Sequence, residues 1–258
     1  MKHATLILIC TQLLLSCSVK EDRTGCPCIL EIDMGGIEAD EAAVLSIWGS
    51  RLLSQETVLP LDFPEGYEKP VDKGYNTVSA LCGKFNTSLD RQRFLTIPEG
   101  KDFDRIFAHV KNVECTGEHA FDTLNMTKQF CVLDLVMLNP GEDQYGYTLE
   151  LESNTSAMDI FSLSGIQGHF HCCPEQIEED TYRTVLPRQT DNSLMLTLYG
   201  KNHDAEKVLH IGEYINRSGY SWTTPSLDDI TIRIDYASGQ VTVTVRDWET
   251  GKEQDCII

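Results

Sequence analysis

Two alternating runs near the C-terminus constrain this chain most. Ile230, Ile232 and Ile234 alternate with Thr231, Arg233 and Asp235. Beyond Ser238-Gly239, Val241, Val243 and Val245 alternate with Thr242, Thr244 and Arg246. Successive side chains of a strand point to opposite faces, so each run gathers its aliphatics on one face. A slip of one residue would bury the polar row, which fixes the register. The pattern predicts an antiparallel hairpin with one buried face.

Shorter runs upstream are also of strand type. Ile29-Leu30-Glu31-Ile32-Asp33, Val44 to Trp48, Val71 to Ala80, Ile106 to Val113 and Phe130 to Met137 come first. Tyr147 to Glu152, Gly165 to His171 and Ser193 to Tyr199 follow, and Gly212 to Arg217 has the look of a short helix. The run Phe130 to Met137 is apolar almost throughout, as a strand buried on both faces would be. Many short strands divided by turn signals predict an all-β protein built of sandwiches. Asn139-Pro140-Gly141-Glu142-Asp143 joins turn formers to acids between two strand runs, which predicts a domain boundary there. The expected division is an N-terminal β-sandwich domain over residues 26–138 and a C-terminal one over residues 139–258.

The N-terminus has the features of an export signal. Lys2 precedes a short apolar run from Ala4 to Leu15, and Ser16 is a small residue before Cys17. The run is shorter than the roughly 20 apolar residues that span a bilayer. Leu14-Leu15-Ser16-Cys17 resembles a bacterial lipobox, which implies a signal peptide over residues 1–16 and lipid attachment at Cys17. One acyl chain binds a membrane only marginally, whereas several on one residue hold it stably. Residues 17–25 are then a lipidated tether. Within it, Lys20-Glu21-Asp22 resembles the signal that sends some lipoproteins to the outer face of the outer membrane.

Composition narrows the partners. A net charge of −19 speaks against nucleic acid, whose binding relies on cationic contacts to phosphate. It also speaks against attraction to anionic lipid headgroups. Of the ten cysteines, Cys10 leaves with the signal and Cys17 would carry lipid. Cys26, Cys28, Cys82, Cys115, Cys131, Cys172, Cys173 and Cys256 remain, and an exported chain can pair such residues. Their connectivity does not follow from spacing. Pro27 argues against a bridge between Cys26 and Cys28, so separate structural bonds are expected there.

Few residues suggest chemistry. On a strand, His169, His171 and Cys173 share a face and could supply three zinc ligands, but no second cluster at zinc-finger spacing supports them. A sheet edge with structural cysteines is the expected reading, with no metal and no cofactor. Ser162-Leu163-Ser164-Gly165 lacks the glycine that a nucleophile elbow needs two residues before its serine. Asp228-Asp229 stands just before the hairpin, where acids commonly begin strands. Trp48, Trp222 and Trp248 are expected to cover the ends of the core rather than stack on sugars. No catalytic constellation emerges, and an enzyme is not expected.

A longer pattern runs through the chain. His210-Ile211-Gly212-Glu213-Tyr214-Ile215, Gly219-Tyr220-Ser221-Trp222, Leu227-Asp228-Asp229-Ile230, Ile234-Asp235-Tyr236 and Val245-Arg246-Asp247-Trp248 follow in order. Cys26-Pro27, Gly74-Tyr75 leading to Cys82-Gly83, and Lys128-Gln129-Phe130 precede them. Together they resemble the FimB-like family of fimbrial anchor lipoproteins. That resemblance implies two tandem transthyretin-like β-sandwich domains after a lipidated tether. It also implies an outer-membrane lipoprotein, lipid-anchored at the cell surface, that anchors or caps fimbriae and supports adhesion. Its expected partners are pilin subunits, held by β-strand pairing, and the outer membrane through the lipid. The alternative is a surface glycan-binding lipoprotein of a nutrient-uptake system.

Overall fold

The computed structural model describes residues 25–83, 88–90, 92–138, 148–200 and 205–258. The expected signal peptide, Cys17 and all of the tether but residue 25 lie outside these residues, as does the turn at 139–143. The described chain is all-β apart from one short α-helix and a 3₁₀ turn, and it forms two sandwiches. Among the described residues no helix is long and apolar enough to cross a membrane.

The first sandwich is built from β1 (Cys28–Asp33), β2 (Ala43–Trp48), β3 (Leu52–Val58), β4 (Tyr67–Val71) and β5 (Gly74–Cys82). The chain then forms β6 (Ser88–Asp90) and β7 (Phe94–Thr96), and afterwards β8 (Phe107–Cys115), β9 (His119–Thr123) and β10 (Thr127–Lys128). A sheet in the order β4-β1-β9 faces one in the order β10-β8-β5-β2-β3. Period two explains the packing: Cys28, Leu30 and Ile32 of β1 point inward, onto Leu45 and Ile47 of β2 and Val78 and Ala80 of β5. Fully burying one such Leu or Ile contributes about 1.5–3 kcal/mol. Glu56 of β3 ties the two sheets at one edge. It accepts hydrogen bonds from Tyr67 and from Lys69 (3.0 Å), both on β4.

The second sandwich comprises β11 (Phe130–Leu138), β12 (Thr148–Asp159), β13 (Gly165–Cys172), β14 (Glu175–Gln176), β15 (Thr181–Pro187), β16 (Met195–Tyr199) and β17 (Ala205–Leu209). The helix α1 (Ile211–Arg217) and strands β18 (Asp229–Asp235), β19 (Val241–Arg246) and β20 (Glu253–Ile257) complete it. One sheet runs β14-β15-β11-β18-β19-β20. The other runs β17-β16-β12-β7-β6, with β13 also paired to β12. Leu133, Leu135, Leu151, Met158, Leu196 and Ile232 are among the residues of the core between them. Gly212 lets α1 sit close against the bend before β16, since a Cβ there would lie 2.4 Å from the Asn192 carbonyl oxygen.

The predicted hairpin is β18–β19, in register from Asp229↔Arg246 to Ile234↔Val241. Its polar face is less exposed than expected: Thr244 is buried, accepting from Arg233 Nη1 (2.7 Å) and donating to Asp255 of β20 (2.6 Å).

The division after residue 138 is not where the sheets divide. Strand β11 pairs with β15 and, in parallel, with β18, so residues 130–138 lie at the centre of the second sandwich. Residues 139–143 lie outside the described residues, and turn chemistry marks strand ends whether or not a domain ends there. Nor is β11 buried evenly on both faces. Leu133 and Leu135 are in the core, whereas Asp134 on the other face takes a bidentate pair from Arg183 at 2.7 and 2.8 Å.

Residues 88–106 also leave the first sandwich. Strand β7 pairs with β12 (Ala157↔Thr96 to Asp159↔Phe94), and Arg93 clamps Asp159. Gly83 makes the exit with φ of +124°, where a Cβ would lie 2.3 Å from the Arg105 carbonyl oxygen of the returning chain. Part of the outer face of the β5-containing sheet is therefore covered, although Tyr75 at its other end stays exposed. Ser79 is buried and donates to the Ile160 carbonyl oxygen (2.7 Å), and Trp48 meets Phe161 with ring centroids 5.5 Å apart.

Candidate functional surfaces

Most residues that suggested chemistry have structural work. Asp229 accepts from Lys128 Nζ (2.6 Å) and from the Val132 N–H (2.9 Å), while Asp228 accepts from the Trp248 N–H (3.3 Å). They fasten the start of β18 rather than act as paired acids. Ser162 and Ser164 hydrogen-bond each other at 2.6 Å in the turn between β12 and β13. The tryptophans pack at ends and junctions, as expected: Trp222 against Tyr220 (4.8 Å) and Trp248 against Phe107 (6.1 Å).

The expected structural bonds of Cys26 and Cys28 are not formed, and all eight described cysteines are free thiols. Cys28, Cys82, Cys115, Cys131 and Cys172 are buried, where a thiol packs as a small apolar group. Burial pushes Cys82, Cys131 and Cys172 up to about 12, which leaves them unreactive.

The His169–Cys173 run divides by strand alternation. Phe170 and Cys172 point into the core, with Cys172 Sγ 3.3 Å from Thr184 Oγ1. His171 and Cys173 face outward beside Glu150 of β12, and the donor atoms of these three lie within 4.8 Å of one another. His169 is not in this group; the β12–β13 ladder shifts register between Ser153 and Thr155, next to it. Sequence reasoning missed Glu150 because only strand pairing brings it there. The usable signal was Glu150 in an alternating run upstream, but nothing local fixes which strand pairs with which.

Among the hollows that open on the surface of the described residues, two stand out by their lining. One, of about 590 Å³, is lined by Met34, Ile37, Leu61, Phe63 and Phe121 on the first sandwich. Leu61 and Phe121 there are 70% and 66% exposed. Glu31, Asp33, Glu65 and Glu68 also line it. The other, of about 760 Å³, lies where the sandwiches meet, between His109, Lys111 and Asn125 on one side and Arg188, Gln189 and Trp222 on the other. Arg188 is buried and donates to Gln129 Oε1 (2.9 Å) and to the carbonyl oxygens of Trp222 (2.6 Å) and Pro225 (2.7 Å). Its burial pushes the guanidinium pKa down. Nearby, Asp122 takes hydrogen bonds from His109 (3.0 Å) and Lys111 (2.7 Å). Burial alone would raise the Asp122 carboxyl, but these two bonds outweigh it and hold the group below its usual range.

Sheet edges complete the surface. Among the described residues, β20 pairs only with β19 and β3 only with β2. Glu253, Gln254 and Asp255 make β20 a polar edge, which discourages indiscriminate pairing.

No protein-family model and no curated protein matches the sequence. Solved structures do match. A Bacteroides thetaiotaomicron protein provisionally described as polysaccharide-binding has a TM-score of 0.62 at 15% identity, covering 89% of this chain and 98% of its own. The fimbrial anchor protein Mfa2 from Porphyromonas gingivalis gives 0.58 at 11% identity, covering 88% and 99%. A Bacteroides ovatus protein provisionally described as an adhesin gives 0.54 at 12% identity, covering 90% and 96%. At such identities the likeness is one of fold. It includes a fimbrial anchor, as the sequence resemblance implied.

Proposed function

We propose that this chain is an outer-membrane lipoprotein, lipidated at Cys17 and displayed at the cell surface, which anchors or caps fimbriae by pairing a sheet edge with pilin subunits. One observation carries the reading: its paired sandwiches have the fold of a fimbrial anchor along nearly the whole of both chains. The lipobox-like Leu14-Leu15-Ser16-Cys17 supports the membrane end. The work is binding rather than catalysis. Strand pairing suits it, because an added strand satisfies a row of edge N–H and C=O groups while alternate side chains supply specificity.

Deleting the protein is expected to change pilus length or number and to shed pili into the medium. Unchanged pili and unchanged cell attachment would refute the anchor. Cys17→Ser should leave an uncut precursor and release the protein from the membrane fraction; continued labelling by fatty acid would show that the attachment site is elsewhere. A second reading, glycan binding at the surface, draws on the junction hollow with Trp222 and Arg188 and on the provisional description of one structural neighbour. Retention on immobilised polysaccharide, abolished by Trp222→Ala, would favour it.

A further inference from the structure

Strands β12 and β13 place three different metal-binding chemistries on one outward face. Their register pairs Leu151 with Cys172 and Glu152 with His171, which sets Glu150 opposite Cys173 and diagonal to His171. Antiparallel neighbours on one face stand close enough for their side chains to meet. His171 Nε2 is 3.6 Å from Glu150 Oε2, and the imidazole, carboxylate and thiol donor atoms all lie within 4.8 Å of one another. Ligands at 2.0–2.3 Å from a tetrahedral Zn²⁺ are about 3.4 Å apart, so the histidine–carboxylate pair already has the spacing of a site. The thiol needs only a side-chain rotation on an exposed residue to join it.

The surroundings favour a cation. Glu152 lies directly across from His171, and the Tyr199 hydroxyl is hydrogen-bonded to Glu150. The main chain of His171 is held by the Gly100 N–H, which donates to its carbonyl oxygen at 3.1 Å. Phe170 and Cys172 are locked in the core on either side, so the outward direction of His171 is fixed by packing. The donor set also discriminates: a thiolate and an imidazole suit zinc, whereas magnesium and calcium take oxygen ligands.

We propose that Glu150, His171 and Cys173 bind Zn²⁺ with a fourth position open on the solvent side. The thiol gives its proton to solvent as the Zn–S bond forms, and no electrons are transferred. The ion would pin the end of β13 to the start of β12. This proposal does not depend on the pilus reading.

The test uses the untagged full-length protein in detergent, stripped with a chelator and then titrated with Zn²⁺ in excess Mg²⁺. Uptake of one equivalent is expected, with at least a tenfold loss of affinity in each of Glu150→Gln, His171→Ala and Cys173→Ser. Cobalt supplies an independent readout: a thiolate-to-cobalt charge-transfer band should vanish in Cys173→Ser and persist in His169→Ala, Cys26→Ser and Cys256→Ser. The side chains at the site are partly or fully exposed, and circular dichroism confirms that each variant is folded. No stoichiometric uptake, or uptake that all three substitutions leave unchanged, would overturn the proposal. So would loss of the cobalt band on changing Cys26 or Cys256 instead.

Discussion

The pair formed by Lys128 and Asp229 makes an asymmetric prediction. The Lys128 side chain is 5% exposed, and its ammonium has the Asp229 carboxylate, the Leu227 carbonyl oxygen (3.0 Å) and the Phe130 ring (4.5 Å) for company. The Asp229 side chain is 30% exposed and keeps the Val132 N–H whatever happens to the lysine. Asp229→Asn therefore strands a buried cation, while Lys128→Met leaves a carboxylate that water can reach. Breaking a buried pair costs about 3–5 kcal/mol. Partial access of water to the carboxylate puts Asp229→Asn at the lower end, about 3 kcal/mol. Lys128→Met removes hydrogen bonds but also a buried charge, and should cost about 1 kcal/mol. The double substitution should cost clearly less than the two single ones together, because the stranded charge is gone. Urea unfolding, followed by tryptophan fluorescence and circular dichroism, measures all three against a total stability of roughly 5–15 kcal/mol. Equal losses from the two single substitutions, with strict additivity in the double, would show that the pair does not govern this site.

Ile232→Asp should unfold the second sandwich, since Ile232 is wholly buried and an unpaired core charge costs several kcal/mol, whereas the half-buried Thr242 should accept Asp with little loss of melting temperature. With the protein chelator-treated, a thiol reagent should modify the exposed Cys26 and Cys173 first and Cys256 more slowly, leaving Cys82, Cys131 and Cys172 untouched until urea is added; early modification of any of those three, read by mass spectrometry, would contradict their burial. The hydrogen bonds of Tyr67, Ser54 and Lys69 hold Glu56 down from the ordinary 4.5 to about 2, so its contribution is fully present above pH 4.5 and is lost as pH falls toward 2. Wild type and Glu56→Gln should thus differ in stability at neutral pH and converge across that interval, by a modest amount because the carboxylate is partly exposed; a constant difference down to pH 2 would rule this linkage out.

Alternation made the strands readable. Cys28–Asp33, Ala43–Trp48 and the β18–β19 hairpin stand within a residue or two of the runs that marked them, because one face of each meets a core, and Phe130–Leu138 stands where its continuous apolar run put it, though only one of its faces is fully buried. What the local pattern does not contain is the partner. Strand β11 could have closed the first sandwich or opened the second, and its own residues are equally apolar in either setting. Its parallel pairing with β18 joins residues about a hundred positions apart, which no turn signal encodes. The strands left unread, such as β3 and β20, are half-exposed and polar, so they lack the contrast that reveals a buried face. The candidate sites follow the same rule. His171 and Cys173 are adjacent on a strand and visible as a pair, whereas Glu150 joins them only across the ladder.

The way the chain crosses between sandwiches bears on how an anchor could carry load. Two sandwiches joined by one linker would separate by bending at the linker. Here the chain enters the second sandwich after β5, lays β7 against β12 with β6 on its outer side, returns in β8, and leaves again after β10. Separating the halves would leave β6 and β7 with β12 and would require breaking the Ser79–Ile160 bond and the Trp48–Phe161 and Phe107–Phe130 contacts. The first sandwich, whose described strands begin at Cys28, is thus joined to the second by repeated passes of the chain and by these contacts. On the proposed reading, a protein held at one end by lipid and at the other by a fibre would load these contacts.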